Sequence, residues 1–154
     1  IGTSLCEDSM VEHAKDLLAT SKILLPEEVV VSKSIESSES RVCRIDAVEN
    51  DEMILDQILS SKVLKKIADA RQIIWNGPVG VFEQKPFSQG TQELAEAIAA
   101  SNAYSLAGGG ETLLAIKMFT DKSNISYCST GGGAFLEFME GKALPSLSAL
   151  GFKF

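Results

Sequence analysis

The stretch AYSLAGGGETLLAIKMF, residues 103–119, joins a short apolar segment to a helical pattern through three consecutive glycines. Its first five residues are mostly small or apolar, as in a buried strand. After the glycines, apolar residues recur at helical spacing: Leu113, Leu114, Ala115, Met118 and Phe119. A strand followed directly by a helix is the repeating unit of α/β proteins, so this stretch predicts that fold class.

The same succession is predicted on both sides of this unit. Residues 71–75 (RQIIW) and 125–129 (ISYCS) are predicted strands, and each runs into a glycine-containing turn. A helix with Leu94 and Ile98 turned inward is expected over QELAEAIAAS, with Thr91 as its N-cap. The strands are continuously apolar rather than alternating, which favours a parallel sheet with helices on both faces.

The first part of the chain contains further predicted elements. Ser4 and Glu7 form a capping-box pattern, so a helix is expected to begin near Leu5. Its apolar stripe consists of Met10, Val11, Ala14, Leu17 and Leu18. A strand is predicted over residues 28–35, and a polar turn followed by a second short strand over residues 37–46. Residues 52–56 are a candidate third strand.

Capping residues predict two more helix boundaries. Either Ser60 or Ser61 can cap a helix near residue 60. The apolar residues of that helix are Val63, Leu64 and Ile67. Gly141 stands where a helix C-cap is expected, and Pro145 follows it.

Composition and charge exclude several classes of protein. The chain has 154 residues, 45% of them hydrophobic and 23% charged, as in ordinary soluble globular proteins. Its net charge of −7 disfavours nucleic acids and anionic membranes as partners, and no apolar run is long enough to cross a bilayer. The cysteines (Cys6, Cys43 and Cys128) share no metal-binding spacing, so we expect reduced thiols in a cytoplasmic protein. The single His13 cannot build a metal cluster, and a start at Ile1 rather than Met suggests a piece of a longer protein.

Three glycine-rich turns follow the three strands of the predicted parallel sheet. They are residues 76–80 (NGPVG), 108–112 (GGGET) and 130–133 (TGGG). Ligands of open α/β sheets bind at the carboxyl ends of the strands, and free NH groups at a helix start attract phosphate. Glycine lets a ligand approach the backbone, although each turn taken alone could simply be tight. None of the turns matches the P-loop or the dinucleotide fingerprint, so a phosphate site of another kind is predicted.

Polar side chains near these turns have two possible roles each. Glu111 either holds Mg²⁺, which prefers carboxylate and phosphate oxygens, or complements the helix dipole. Thr112 either donates its hydroxyl to a phosphate or caps the helix. Glu83 either accepts hydrogen bonds from ribose hydroxyls or is a solvated surface charge. Trp75 is expected in the core rather than as a platform for adenine.

Several of these segments resemble one known family. IIWNGPVGVFE (73–83), GGGET (108–112) and STGGGAFLEFMEGKALPSLSAL (129–150) are similar to the C-terminal half of phosphoglycerate kinase. IGTSL (1–5) and ILLPEEVVV (23–31) also resemble segments of that family, in the same order. The resemblance covers nearly the whole chain, and the two longer motifs are specific.

The resemblance implies an α/β fold with a Rossmann-like parallel sheet and helices on both faces, incomplete at its N-terminal side. Residues 1–154 would be part of the C-terminal, nucleotide-binding domain. The tail at about 145–154 would reach toward the N-terminal domain of the family, which this chain lacks. The parent protein would be a cytoplasmic monomer of glycolysis, and the fragment could associate with itself.

The resemblance also implies an activity and a set of site residues. Phosphoglycerate kinase transfers a phosphoryl group between 1,3-bisphosphoglycerate and ADP with Mg²⁺, giving 3-phosphoglycerate and ATP. The implied nucleotide contacts are Gly77, Val79, Glu83, Gly109, Gly110, Glu111 and Thr112. Glu83 would hold the ribose, and Glu111 would lie near the metal. The NH groups of Gly131, Gly132 and Gly133 would face the phosphoryl group in transfer, where positioning and electrostatic stabilisation dominate catalysis.

Two departures from the family pattern stand out. Residue 111 is Glu where the family has Asp, which places the carboxylate one methylene further from the backbone. Asp56 is followed by Gln57-Ile58-Leu59 rather than by the family's Gly-Pro, so no ligand contact is carried over to that segment. Without the N-terminal domain that binds 3-phosphoglycerate, the 154 residues alone are predicted to be inactive. The alternative is a non-catalytic nucleotide- or anion-binding module.

Overall fold

In residues 1–152, which the computed structural model describes, the chain is divided between two units, each with its own three-stranded sheet. Unit 1 contains Ile1–Lys65 and Val79–Leu94. Unit 2 contains Lys66–Pro78 and the residues from Ala95 onward. The chain therefore enters unit 2, returns to unit 1 for one segment, and then completes unit 2.

The sheet of unit 1 is antiparallel. Strand β1 (Glu28–Ser32) lies between β2 (Arg41–Arg44) and β3 (Met53–Gln57), and the register against β3 shifts between Val30 and Val31. These strands lie within or overlap the three segments that the sequence predicts, although β3 extends one residue further. Strands β1 and β3 are rich in β-branched and apolar residues, which fit a pleated and buried surface, whereas β2 buries only Cys43.

The central strand of unit 1 is buried on both faces. On one face Val29, Val31 and Cys43 pack together. The other face carries Val30 with Leu55 and Phe87. Successive side chains of a strand point to opposite faces, so the run of three valines in β1 supplies two small cores at once.

The first helix exists but differs from its prediction. A 3₁₀ turn (Asp8–Met10) leads into α1 (Val11–Ala19), and no side chain caps either element. The predicted capping box is therefore wrong, because the Ser4 hydroxyl accepts a hydrogen bond from the Ile54 NH at 2.9 Å instead. All of α1 is exposed, including its apolar stripe, because no described element covers it.

The next two helices test the predicted caps. Helix α2 (Ser61–Asp69) is capped by Ser60, whose hydroxyl accepts from the Val63 NH at 3.3 Å, so one of the two predicted caps is confirmed. Helix α3 (Gln89–Ala100) begins two residues before Thr91, so the predicted N-cap is wrong.

The sheet of unit 2 is parallel, as predicted. Its order is β4 (Gln72–Asn76), β5 (Tyr104–Gly108) and β6 (Tyr127–Ser129). Helices α4 (Gly110–Phe119) and α5 (Gly133–Met139) follow β5 and β6. The α/β fold class is confirmed, with strands that pass through glycine turns into helices.

Burial of this sheet is less complete than its apolar strands predict. Trp75 is 4% exposed and Ala107 is fully buried, which confirms Trp75 as a core residue. Ile74, Tyr104 and Tyr127, in contrast, are more than half exposed. The apolar pattern reports which residues can be buried, whereas their actual burial depends on what packs against each face.

The end of the described chain follows the predicted capping chemistry. Gly141 has a left-handed φ of 77° and donates its NH to the Phe138 carbonyl at 3.0 Å, and the Lys142 NH bonds the Glu137 carbonyl at 2.9 Å. These two hydrogen bonds together form the Schellman motif, so the predicted C-cap is confirmed. Pro145 opens the last helix, α6 (Pro145–Ala149). The final two residues of the predicted tail lie outside the described residues.

None of the helices in residues 1–152 is both long enough and apolar enough to cross a bilayer.

Candidate functional site

The three strands of unit 2 end in one row. Asn76 is paired with Gly108, and Gly108 is paired with Ser129, so the last residues of β4, β5 and β6 lie side by side. Because all three strands are parallel, each of the predicted glycine turns starts from this row. The structure therefore brings together the Gly77, Gly109–Thr112 and Gly131–Gly133 segments at the carboxyl edge of the sheet.

The turn after β5 leads straight into α4. Gly109 is the N-cap residue with φ of 95° and accepts the first helical hydrogen bond from the Leu113 NH at 3.1 Å. The NH groups in the first turn of a helix have no partner within the helix, so this end presents donors. Gly110 is exposed, and a Cβ built on it would meet no atom within 4 Å.

A hydrogen-bond network ties the turn after β4 to the turn after β5. The Thr112 hydroxyl, which is fully buried, accepts from the Gly77 NH at 2.7 Å. The Asn76 side-chain amide donates to the Gly108 carbonyl at 2.9 Å. The Trp75 indole NH donates to the Gly77 carbonyl at 2.9 Å. Thr112 thus holds the Gly77 turn in place, and no side-chain cap forms at the N-cap of α4.

The turn after β6 exposes a row of backbone groups. The Gly131 NH donates to the Ser129 hydroxyl at 3.2 Å, and the Gly131 carbonyl accepts from the Ala134 NH at 3.1 Å. Gly132 has φ of 51°, which disfavours any other residue. The NH groups of Gly132 and Gly133 have no acceptor within residues 1–152, and a Cβ on either residue would meet no atom within 4 Å.

One glycine of this edge has a packing role instead. A Cβ on Gly108 would lie 2.3 Å from Cδ1 of Phe135. Phe135 belongs to the first turn of α5, so its ring seats that helix against the end of β5. Gly108 therefore sets the distance between the strand row and the glycine turn after β6.

The acidic residue at this edge is Glu111. It lies in the first turn of α4 and its side chain is exposed. Within residues 1–152 no group of three or more His, Cys, Asp or Glu side chains could hold a metal ion.

Two of the predicted nucleotide contacts belong to unit 1. The Val79 NH donates to the fully buried Thr91 hydroxyl at 3.2 Å. Glu83 is exposed and follows the buried Phe82. The segment of residues 79–83 is also held by the Val81 NH, which donates to the Leu55 carbonyl at 2.8 Å.

Asp56 is the residue of unit 1 that sequence reasoning left without a role. It is 1% exposed, and its carboxylate accepts hydrogen bonds from the Gly90 NH at 2.8 Å and from the Gln57 NH at 2.9 Å. Burial raises the pKa of Asp56, and the two backbone hydrogen bonds oppose that rise. A single acidic residue inside the apolar strand MILDQ is the signal that could have identified it.

Comparison with known proteins identifies the family that this arrangement belongs to. The family model of phosphoglycerate kinase matches residues 1–142. The structure of phosphoglycerate kinase from Coxiella burnetii is 43% identical, with a TM-score of 0.88 over 96% of this chain and 40% of that protein. Phosphoglycerate kinase from Pyrococcus horikoshii OT3 is 33% identical, with a TM-score of 0.75 over 92% of this chain and 36% of that protein. The chain thus spans about two fifths of the length of these relatives.

Proposed function

Because the chain belongs to the phosphoglycerate kinase family, we propose that it supplies part of the nucleotide site of a phosphotransferase. The reaction is phosphoryl transfer between 1,3-bisphosphoglycerate and ADP, giving 3-phosphoglycerate and ATP. The carboxyl edge of the parallel sheet in unit 2 binds the phosphates of ADP or ATP. The protein acts in the cytoplasm as a monomer, and 3-phosphoglycerate binds to a part of the protein outside this chain.

The observation that carries this proposal is the empty space beside Gly110 and Gly133. Neither residue has a left-handed φ, and a Cβ on either would meet no protein atom within 4 Å. Glycine in a helix costs about 1 kcal/mol relative to alanine, so the backbone and the packing would both accept alanine here. A ligand that must approach the backbone closely accounts for glycine at these two positions.

The proposed division of labour follows the two glycine turns. Gly109, Gly110 and the start of α4 bind the phosphates of the nucleotide. Gly131, Gly132 and Gly133 direct NH groups at the phosphoryl group in transfer, where fixed donors stabilise the developing charge. Thr112 positions the turn that contains Gly77, in addition to the phosphate contact predicted for it.

Glu111 is the proposed magnesium ligand of this chain. Mg²⁺, when bound with the nucleotide, neutralises charge on the phosphate oxygens. The exposed carboxylate at the start of α4 suits a hard cation that keeps several waters. In unit 1, Val79 lines the nucleotide site and Glu83 accepts hydrogen bonds from the ribose hydroxyls.

Calorimetric titration of the full-length protein with Mg-ADP tests the proposal. Saturable binding together with ATP formation from 1,3-bisphosphoglycerate is the expected result, and the 154 residues alone should show no turnover. Absence of Mg-ADP binding by the full-length protein would overturn the nucleotide site. Binding without turnover in the full-length protein would instead support the non-catalytic nucleotide-binding module.

The role of Glu111 is tested by the Glu111→Gln variant. We expect affinity for Mg-ADP to fall by about tenfold, because one charged ligand of the metal is lost, while affinity for ADP measured in EDTA stays the same. Glu36→Gln, which neutralises an exposed carboxylate of unit 1, is the matched control. An equal loss of affinity with and without Mg²⁺ would contradict a metal ligand at residue 111.

A further inference from the structure

We infer that Asp56 is a positioning residue that fastens the segment of residues 79–83 to the start of helix α3. Its contacts stand on the structure alone, whereas their effect on a ligand rests on the proposed function, in which Glu83 holds the ribose. Asp56 itself is buried, so the proposal gives it no contact with the nucleotide.

Both oxygens of the Asp56 carboxylate accept a hydrogen bond from the surrounding backbone. One oxygen accepts from the Gly90 NH at 2.8 Å, in the first turn of α3, and the other accepts from the Gln57 NH at 2.9 Å. No ion pair involves Asp56 among the described residues 1–152. A buried charge without a cationic partner is costly, so its two charge-assisted hydrogen bonds must offset a large desolvation penalty.

Two glycines make room for this carboxylate. A Cβ on Gly80 would lie 2.2 Å from Oδ1 of Asp56. A Cβ on Gly90 would lie 2.4 Å from the Gln57 carbonyl oxygen and 2.5 Å from Oδ1 of Asp56. Gly80 belongs to the segment of residues 79–83, and Gly90 belongs to α3. The carboxylate is therefore wedged between the backbone of the segment and the backbone of the helix, and it sets the distance between them.

The neighbours of Asp56 hold the same segment at two further points. The Val79 NH donates to the hydroxyl of Thr91, the residue after Gly90, at 3.2 Å. The Val81 NH donates to the carbonyl of Leu55, the residue before Asp56, at 2.8 Å. Val79 and Val81, on either side of Gly80, are thus both hydrogen-bonded to residues that are adjacent in sequence to Asp56 or Gly90. This fixes the backbone that leads to Phe82, which is 1% exposed, and to Glu83.

The contacts of Asp56 are compatible with the departure from the family motif that follows it. Gln57 follows Asp56 directly, and its NH is one of the two groups that donate a hydrogen bond to the carboxylate. Both hydrogen bonds to the Asp56 carboxylate come from main-chain NH groups, so they do not depend on the Gly-Pro pair that the family has later in this motif. The positioning role survives this change of sequence.

The decisive measurement compares ADP with 2′,3′-dideoxy-ADP as ligands of the full-length protein. Asp56→Asn replaces one carboxylate oxygen by an NH₂ group, so one of the two NH donors loses its acceptor. If the wedge positions Glu83, affinity for ADP should fall by about tenfold while affinity for the dideoxy analogue stays the same. Asp16→Asn, an exposed carboxylate of the same unit, should leave both affinities unchanged. Equal losses for both ligands, or no loss for either, would overturn the positioning role.

Amide hydrogen exchange tests the wedge without any ligand. In Asp56→Asn the amides of Val79, Val81 and Gly90 should exchange faster, while strand β5 of unit 2 keeps its protection. Unchanged exchange at these amides would refute the wedge even if nucleotide binding is confirmed. If the unmodified protein does not bind Mg-ADP, the proposed function fails, and the exchange result alone decides the role of Asp56.

A milder pair of variants covers the case in which Asp56→Asn does not fold. Thr91→Val removes the acceptor of the Val79 NH at nearly constant volume, and Thr91→Ser restores it. The ratio of ADP affinity to dideoxy-ADP affinity should fall in the valine variant and recover in the serine variant. A ratio that is the same in both would count against the positioned segment.

Discussion

Gly80 and Gly110 both lie in glycine-rich turns that follow a strand, yet a side chain would meet opposite surroundings at the two positions. A Cβ on Gly80 would lie 2.2 Å from Oδ1 of Asp56 and 2.8 Å from the Phe87 carbonyl oxygen. A Cβ on Gly110 would meet nothing within 4 Å. Gly80 is required by the protein's own packing, whereas nothing in the described structure requires glycine at 110.

This difference teaches that a glycine-rich motif combines two kinds of constraint. In the packed kind, at Gly80, Gly90 and Gly108, another group of the same chain fills the space that a side chain would occupy. In the open kind, at Gly110 and Gly133, that space is left free. Substitution of a packed glycine should therefore lower stability, whereas substitution of an open glycine should impair ligand binding or turnover.

The largest effect on stability is expected for Gly80→Ala, a substitution at a packed glycine. We expect the free energy of unfolding to fall by about 3 kcal/mol, because a methyl group cannot fit between a buried carboxylate and a backbone carbonyl without moving one of them. Urea denaturation of the full-length protein measures this change. Gly110→Ala is the matched control and should leave stability the same or raise it by up to about 1 kcal/mol. Similar losses in the two variants would erase the distinction between packed and open glycines.

Gly133→Ala addresses the open side of the comparison. Stability should stay the same or rise by up to about 1 kcal/mol, because alanine is the better helix former and its methyl group meets no protein atom. If the proposed function holds, the kcat of phosphoryl transfer should fall by about tenfold, because the methyl group would displace the phosphoryl group from the NH donors. Steady-state kinetics and urea denaturation on the same preparation measure both effects. An unchanged kcat would show that the space beside Gly133 is not used by the reacting group.

Sequence patterns predicted the second half of the fold well because its signals are local. Each strand of unit 2 is a short apolar run that ends at a glycine turn, and each following helix has its own periodicity. The C-cap at Gly141 was equally local, since a left-handed residue at a helix end needs only glycine and its neighbours.

The predictions failed where a distant residue decided the outcome. Ser4 bonds the Ile54 NH, 50 residues away, rather than capping the first helix. Thr91 accepts from the Val79 NH inside a helix that it was expected to cap. In both cases the side-chain hydroxyl accepts a hydrogen bond from a backbone NH that is distant in sequence instead of from an NH at the start of its own helix. The local spacing of residues contains no information about that distant NH group.

The candidate site shows the same division. The sequence located the three glycine turns, and the register that places Asn76, Gly108 and Ser129 side by side confirms that they share one edge. It could not distinguish packed from open glycines, because that distinction depends on Phe135 and Asp56 in three dimensions. The roles of the individual site residues stay predictions until ligand binding is measured.

The smallest expected effect is a pH dependence that arises on the packed side, from Asp56. Burial raises the pKa of its carboxyl in the folded protein above the value of 3.8 for the free side chain, so the folded state retains the proton to higher pH than the unfolded state does. Between these two pKa values the folded state binds more protons, and stability therefore falls as pH rises.

This dependence can be isolated by comparing wild type with Asp56→Asn, which has no proton to lose. From pH 3.5 upward the stability of wild type should fall relative to the variant, by at most about 1.4 kcal/mol per pH unit, and the difference should level off above the folded pKa. Urea denaturation across this pH range measures it, and Asp16→Asn shows how much an exposed carboxylate contributes. A difference that stays constant with pH would contradict the raised pKa of Asp56, because the folded and unfolded states would then hold the proton equally well.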